Sequence, residues 1–484
     1  MGLSTTLANA LTGLNAATRG ADVVSQNVAN ARTPGYARRE VNLSAQSLGG
    51  NGAGVRLDGI GRVLNQSLLG DRRLADAASV NAGVRSGFLS AMEKEIGPPG
   101  DAGSLSGTYA AFEAALIQAA SRPDSNARLQ SVVNAAGTLT DKLADLTKTL
   151  QQSRMDADST IARQVDVLNR SLVQIDELNA DILALRSSGR DATALMDQRQ
   201  RLVDQVSEIV PVREVQRDNN QIALFTTGGA ILLEGNPVTV GFAPVGVITA
   251  DMTVASGALS GLTINGLAVP SGDGGVLGGG SLGAQFALRD ELAPDIQFQI
   301  DALSRDLIER FHAPAADPTL PPGLPGLFTD AGGPFNALAE QGLAGRLRLN
   351  ALADPMQGGA LWRLRDGLGA ATAGDVGNAT RLTALRYALT FARIPASGSF
   401  FGAARSASGL AADVLSQVAG NRQTADSRQA YTAARQVSLA EMEAQDGVDT
   451  DAEMQTLLLV EQAFGANARV IQTVDDLINK LIGL

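Results

Sequence analysis

Two short stretches of this chain carry residue patterns that are typical of catalytic or ligand-binding sites. The first, residues 278–283, reads Gly-Gly-Gly-Ser-Leu-Gly and satisfies both the dinucleotide-binding pattern G-x-G-x-x-G and the nucleophile pattern G-x-S-x-G. A dinucleotide site needs a strand before the glycines, and no credible strand precedes them. A hydrolase that used Ser281 would need a histidine, and the only one, His312, follows too soon for the usual order Ser, Asp, His. We interpret the stretch as a flexible entry into a helix.

The second stretch has acidic residues at alternate positions, Asp449, Asp451 and Glu453. This spacing begins a calcium-binding loop, but that loop needs Gly at its sixth position and Glu at its twelfth, where the chain has Met454 and Val460. Acidic residues also favour a helix start, because they complement the helix dipole. We therefore predict an acidic helix start here, and we expect no catalytic, cofactor or metal site in the chain.

A cluster of arginines, Arg32, Arg38 and Arg39, could bind phosphate or pair with acidic residues elsewhere in the chain. Residues 1–73 carry eight Arg against four acidic residues, whereas residues 441–484 carry nine acidic residues against one Arg and one Lys. Opposite charge on two segments fixes partner choice and register. We therefore predict that the arginines pair with the acidic C-terminal arm.

The overall composition excludes further classes of protein. The chain has 484 residues and a net charge of −11, and this acidity argues against nucleic-acid binding, which needs a basic face. The sequence has no run of 18 or more apolar residues, so we predict no membrane span. It has no cysteine, which excludes disulfides and thiolate catalysis. No charged side chain precedes Arg19, so we expect no cleaved secretory signal peptide.

The most informative pattern lies at the two ends of the chain. Apolar residues recur there at alternating spacings of three and four, the heptad seam of a coiled coil. We predict a packing helix at each end. The seam residues are Leu3, Leu7, Ala10, Leu14, Ala17, Ala21, Val24 and Val28 at the N-terminus, and Leu457, Val460, Phe464, Asn467, Ile471, Val474, Ile478 and Leu481 at the C-terminus.

The periodicity alone leaves alternatives open. The terminal helices can pack between many copies of the chain, as in a subunit that polymerises by its ends. They can also pack on a globular core, or against each other within one chain. Asn467 is likewise either a polar residue that sets the register or a sign that the frame of the seam is displaced by one residue.

Between the ends, helical segments alternate with glycine-rich ones. Helices are predicted at 63–96, 161–185 and 193–210, short strands between 212 and 233, and short strands or extended chain at 41–65. We predict a mainly α, elongated, multidomain fold with β inserts. Residues 1–60 form the N-terminal half of an inner coiled-coil domain with a connecting extended segment, and 446–484 form its C-terminal half; 61–210, 284–312 and 396–445 form a helical core domain; 211–283 form a β-rich insert and 313–395 a Pro/Gly-rich outer insert.

Several motifs are similar to those of a known family. Residues 446–449 and 461–473 resemble the closing segment of flagellar axial proteins, and 99–101, 195–199 and 280–284 resemble positions typical of one branch of them. The chain therefore resembles the hook-associated protein 1 family, the first junction proteins between the bacterial hook and filament. The N-terminal motif shared by rod, hook and junction proteins is matched by Asn27, Asn30, Thr33, Pro34, Gly35, Tyr36 and Arg38.

The resemblance implies both a fold and a function. It implies a coiled-coil inner domain, a helical second domain and outer β inserts. It implies a structural subunit that self-assembles into a short helical ring on the hook tip, with hook protein below and the second junction protein above. It also implies extracellular location after passage through the flagellar type III export apparatus, and a cytosolic chaperone that binds the C-terminal helix, whose apolar seam is exposed before assembly.

Two other functions were weighed against this one. Another flagellar axial protein, such as hook or distal rod, would share the terminal motifs. An exported cell-wall hydrolase would need a compact segment with acid and base candidates. The inserts are instead small, glycine-rich and almost free of histidine. We therefore favour the structural role.

Overall fold

The structure, a computed structural model, describes residues 2–48, 51–400 and 402–483. Helices contain 61% of the residues, and the strands of the described part form four small sheets. The mainly α fold with β inserts is therefore confirmed. Gly49 and Gly50, in the segment predicted as extended, and Phe401, in a segment predicted as helical, lie outside the described residues.

The α-helices range from 4 to 62 residues in length. The longest contains the predicted stripe 161–185 and ends before Gly189, whose φ of 70° lies in the left-handed region that favours glycine. No helix of the described residues is long and apolar enough to cross a bilayer. The helices are α1 (Leu3–Asn30), α2 (Gln66–Ile96), α3 (Leu105–Ser121), α4 (Asn126–Ser187), α5 (Thr193–Ile209), α6 (Ser281–Ala287), α7 (Ala293–His312), α8 (Leu343–Arg346), α9 (Trp362–Asp366), α10 (Thr380–Thr390), α11 (Ala407–Gln445) and α12 (Thr450–Ile482).

The strands are short, apart from one hairpin in which Arg39 lies opposite Arg62 and Leu43 opposite Leu57. The strands predicted between 212 and 233 form a sheet with the order β3-β4-β5-β6, as numbered below. The strands are β1 (Arg39–Leu48), β2 (Asn51–Arg62), β3 (Val212–Gln216), β4 (Ile222–Thr226), β5 (Ile231–Glu234), β6 (Asn236–Pro237), β7 (Val240–Gly241), β8 (Leu262–Ile264), β9 (Leu267–Val269), β10 (Phe328–Asp330) and β11 (Leu347–Leu349).

One compact unit consists of residues 1–79, 166–240 and 431–484. In this unit α1 packs against α12 and against the hairpin β1–β2. Apolar side chains of α5 and of the sheet, such as Val203, Val206, Leu224, Leu232 and Leu233, are buried. Both ends of the chain therefore lie together within one unit.

The second compact unit consists of residues 80–165 and 241–430. Its core includes an aromatic cluster of Phe112, Phe311 and Phe328, with ring centroids 5.1–5.8 Å apart. A fully buried arginine, Arg289, donates to Asp158 at 2.6 Å and lies over the rings of Phe286 and Phe242. The buried charge is thus paired, as a low-dielectric interior requires.

A second buried polar group of this unit is Asp301 on α7. Its carboxylate accepts hydrogen bonds from the backbone amides of Gly342 (2.7 Å) and Ala344 (2.8 Å) and from the side chain of Gln297 (2.9 Å). These bonds favour the charged form of the carboxyl, but burial disfavours it more strongly. The pKa of Asp301 is therefore raised from 3.8 to about 6.

This raised pKa makes stability depend on pH. Between the unfolded and folded pKa values, 3.8 and about 6, the folded chain binds the Asp301 proton more tightly than the unfolded chain. Stability from this group is therefore fully present below pH 4 and is lost as the pH rises through 6, by up to about 3 kcal/mol. We expect Asp301→Asn to remove this part of the pH dependence of the urea midpoint, whereas Asp375→Asn, at an exposed position, retains it. An unchanged slope in Asp301→Asn would contradict the assignment.

Candidate functional site at the paired terminal helices

The helices α1 and α12 approach each other closely where α1 has glycine. A Cβ atom added to Gly13 would lie 2.7 Å from Oδ1 of Asn467, and one added to Gly20 would lie 3.2 Å from a methyl group of Val460. Two glycines seven residues apart fall on the same face of a helix. The absence of their side chains therefore allows the close approach of the two helices.

The predicted N-terminal seam lies on and beside this face. Ala10, Ala17 and Val24, spaced by seven, are buried, and Val28 is exposed. Sequence reasoning missed Gly13 and Gly20, although their heptad spacing was a visible signal. The remaining seam residues are half-buried: Leu3, Leu7, Leu14 and Ala21.

The predicted C-terminal seam is less buried than the N-terminal seam. Val474 is buried, whereas Phe464 and Leu481 are exposed. Asn467 faces Gly13, and its side-chain amide donates to the carbonyl of Ala463 at 2.9 Å. Asn467 thus lies on the side of α12 that faces α1. The remaining seam residues are half-buried: Leu457, Val460, Ile471 and Ile478.

Most apolar side chains of α12 contact solvent. Of its 33 residues only Glu453 and Val474 are buried. Leu458 and Leu459 are 57% and 66% exposed, and Ile482 is 78% exposed. Exposed apolar side chains in this number on one helix favour association with a partner. We call this surface of Leu458, Leu459, Phe464, Leu481 and Ile482 the open face of α12.

Asn27 connects the end of α1 to the hairpin. It is 1% exposed, and its side-chain amide donates to the carbonyl of Arg39 at 2.9 Å. Its Oδ1 accepts from the Tyr36 hydroxyl at 2.8 Å and from the backbone amide of Arg39 at 3.0 Å. All three partners lie beyond the turn that ends α1. The side chain of Asn27 therefore fixes the direction in which the chain leaves the helix.

The turn itself contains the other residues of the motif. The hydroxyl of Thr33 donates to Oδ1 of Asn30 at 3.2 Å. Pro34 has no backbone donor, and Gly35 has a φ of 75°. A Cβ at Gly35 would lie 2.6 Å from Cγ of Arg201. Glycine is needed here for both its conformation and its size.

The arginine that follows the turn pairs with the C-terminal arm. Nε of Arg38 donates to Glu453 at 2.7 Å, and the side chain of Glu453 is 2% exposed. This hydrogen bond raises the pKa of Arg38 above its usual value. Asp449 caps the same helix, because it accepts from the backbone amides of Asp451 and Ala452. The predicted acidic helix start is thus confirmed.

The other two arginines of the cluster behave differently. Arg39 donates to Asp197 on α5 at 3.0 Å, and Arg62 reaches the same carboxylate at 2.8 Å. Burial lowers the pKa of Arg62. Arg32 is exposed. The prediction that the whole cluster pairs with the C-terminal arm was therefore wrong for Arg39. The register of the hairpin places Arg39 opposite Arg62, and both arginines pair with the buried carboxylate of Asp197.

The stretches that resembled catalytic motifs have structural roles. Ser281 is the first residue of α6, and its hydroxyl accepts a hydrogen bond from Gln164 at 3.0 Å. The part of the chain that the structure describes contains no group of three or more His, Asp or Glu side chains that could hold a metal ion.

The paired termini define a class of protein: a helical subunit whose two chain ends form one packing element with an open apolar face. Comparisons with known proteins agree with this class. Residues 89–316 match the family model described as "Flagellar hook-associated protein FlgK helical domain", and residues 442–484 match "Flagellar basal body rod FlgEFG protein C-terminal".

Curated relatives carry one name. "Flagellar hook-associated protein 1" of Salmonella typhimurium is 26% identical over 48% of this chain and 43% of its own length. The Escherichia coli protein of that name is 24% identical over 48% of this chain and 44% of its own length. The chain thus spans less than half the length of these two relatives. The Bacillus subtilis protein of that name is 23% identical over 100% of this chain and 97% of its own length.

The chain also matches the solved structure of the flagellar hook junction protein FlgK from Burkholderia pseudomallei, with 21% sequence identity and a TM-score of 0.45. The match covers 55% of this chain and 46% of that one. The family model and the curated relatives confirm the resemblance inferred from the sequence. Residues 89–316 are similar to the hook-associated helical domain, and the chain is similar to proteins named flagellar hook-associated protein 1.

Asn27 provides a test of how the motif works. Asn27→Ala leaves the Tyr36 hydroxyl and both backbone groups of Arg39 without their partner. We expect a loss of about 2–4 kcal/mol of local stability. Hydrogen exchange of residues 20–62 measures it. The control Asn15→Ala, at an exposed position of α1, should change exchange little. Equal effects of the two substitutions would contradict the role of Asn27.

Gly13 and Asn467 provide a test of the close approach. Gly13→Ala gains about 1 kcal/mol of helix propensity, but its methyl group displaces Asn467. We expect the substitution to destabilise the pair of helices in the natural chain and to stabilise it by about 1 kcal/mol when Asn467→Ala is present. Gly465→Ala, whose methyl group meets open space, should stabilise both backgrounds. A Gly13→Ala effect that does not depend on Asn467 would show that the helices lie farther apart.

Proposed function

We propose that this chain is a structural subunit of the bacterial flagellum that polymerises on the hook tip and joins the hook to the filament. The observation that carries the proposal is the pair of terminal helices, whose open face on α12 is exposed among the residues that the structure describes. The matches to the hook-associated helical domain and to curated hook-associated proteins support it.

In the assembly, the open face packs against neighbouring copies. Burial of apolar area contributes about 25 cal/mol per Å², so several exposed leucines per subunit favour a polymer. The seam residues of α1 and α12 then form the interior of a helical ring. The polar contacts of Asn27, Arg38 and Glu453 hold the two helices in the geometry that the ring requires.

The proposed partners follow from this position. The ring contacts hook protein on one side and the second junction protein on the other. The subunit reaches the extracellular junction through the flagellar type III export apparatus. A cytosolic export chaperone binds α12 and covers its apolar side chains until assembly. We assign the chain no enzymatic activity, no cofactor and no metal.

Another axial protein, hook or distal rod, is the second candidate, because the C-terminal 442–484 model is that of rod and hook proteins. The match of 89–316 to the hook-associated helical domain favours the junction. An exported cell-wall hydrolase has less support, since the matched family is structural.

A gene deletion separates these candidates. For a junction subunit we expect cells with hooks but without filaments, and flagellin in the medium. Loss of the hook as well would favour the hook or rod alternative. Intact filaments would refute the proposal.

Complementation with point variants then tests the open face. Leu458→Glu places a charge at a position that is 57% exposed. We expect it to leave the free energy of unfolding of the purified chain within about 1 kcal/mol of the original and to abolish rescue of motility. Gln472→Glu, which adds the same charge at an exposed polar position of α12, should rescue. Full rescue by Leu458→Glu would exclude the open face from assembly.

A further inference from the structure

A polar cleft of about 590 Å³ lies beside the turn between α4 and α5, within the unit that contains the chain termini. Its walls come from the hairpin β1–β2, the turn at residues 186–193, the first turn of α5 and strand β3. None of the sequence motifs described above explains it. Its chemistry is dominated by arginine.

Five arginines line the cleft: Arg19, Arg62, Arg186, Arg190 and Arg199. Arg186 and Arg190 are exposed. Since both belong to the turn at its rim, their guanidinium groups are available to a ligand from solvent. The cleft therefore presents more cations than the acidic composition of the chain would suggest.

Each of the three acidic residues of the cleft already accepts a hydrogen bond. Glu214 accepts from Arg73 at 2.7 Å, and Asp58 accepts from Arg56 at 2.7 Å. Asp191 accepts from the backbone amide of Thr193 at 2.9 Å. Among the described residues, none of the three forms an ion pair with Arg186 or Arg190.

Arg199 is buried, and neither hydrogen bond described for it goes to a carboxylate. It is 6% exposed, and its guanidinium donates at 2.7 Å to the side-chain oxygen of Asn179 and at 2.7 Å to the carbonyl of Asn220. Burial lowers the pKa of Arg199 to about 10. An anion placed beside this cation would compensate its desolvation.

The first turn of α5 adds donors. Ala192, at the N-cap, supplies no side-chain hydrogen bond, and the amide of Thr193 donates to Asp191 instead. Thr193 is 4% exposed and lines the cleft, and its hydroxyl has no hydrogen-bond partner. A helix N-terminus of this kind attracts anions. The buried hydroxyl and the buried arginine thus point to the same ligand chemistry.

We propose that this cleft is an oxyanion site, in which the Thr193 hydroxyl and the guanidinium groups of Arg190 and Arg199 hold the ligand. The oxyanion is a carboxylate of a second copy of this chain or dissolved phosphate. A chain with a net charge of −11 offers carboxylates on much of its surface. The second-copy source rests on the proposed assembly, whereas the site itself does not.

Binding of inorganic phosphate by the full chain tests the site. We expect saturable binding in isothermal titration calorimetry at constant ionic strength, against chloride as the reference anion. Arg190→Gln and Thr193→Val should each weaken it about tenfold, as the loss of a hydrogen bond to a charged group predicts. Arg32→Gln, at an exposed arginine outside the cleft, should bind as the natural chain does. Far-ultraviolet circular dichroism verifies that each variant is folded.

Self-assembly separates the two sources. With a second-copy carboxylate, phosphate competes with polymerisation of the purified chain, and Arg190→Gln slows polymerisation and impairs rescue of the deletion strain. If the ligand is dissolved phosphate, Arg190→Gln loses phosphate binding, but its polymerisation and its rescue of the deletion strain are unchanged. Either result supports the site. Phosphate binding that is absent, or equal in Arg190→Gln, Thr193→Val and the natural chain, overturns it. Intact filaments in the deletion strain would refute the assembly role but not phosphate binding.

Discussion

The close approach of α1 and α12 is the constraint on which the arrangement of the chain termini depends. It exists because Gly13 and Gly20 present no side chain toward Asn467 and Val460. With the helices at this distance, Arg38 reaches the buried carboxylate of Glu453. A wider separation would leave that carboxylate buried without a cation, which costs several kcal/mol. The packing of small residues and the ion pair therefore support each other.

Polar and apolar residues have separate tasks in this unit. Asn27, Asp197 and Glu453 are buried and hydrogen-bonded, and they fix the directions of α1, the hairpin and α12. Hydrogen bonds are directional and costly to leave unmade, so they suit this task. The exposed leucines of α12 are non-directional surface that associates with any complementary apolar partner. A subunit with fixed internal geometry and an adaptable outer face can be added repeatedly at one growing end.

Much of this could be predicted from the sequence. The heptad spacing revealed both terminal helices, and proline-free, alternating or glycine-rich stretches indicated α4, α5 and the strands β3 to β5. The charge balance of the two ends indicated that they pair, as Arg38 and Glu453 do. Periodicity could not distinguish Asp197 from the C-terminal acids as the partner of Arg39. That choice depends on hairpin register, a contact between residues far apart in the chain. The arginine cleft was missed for the same reason, since its residues come from several separate segments.

The length of α4 has a consequence for the order in which the chain folds. Its hydrogen bonds close between residues four apart, so its 62 residues can become helical before any distant contact forms. Without cysteine, no slow disulfide exchange delays folding. Arg38 and Glu453, by contrast, are separated by 415 positions and must find each other late. A chain that folds from an extended state would thus complete its long helices first and join its two ends last.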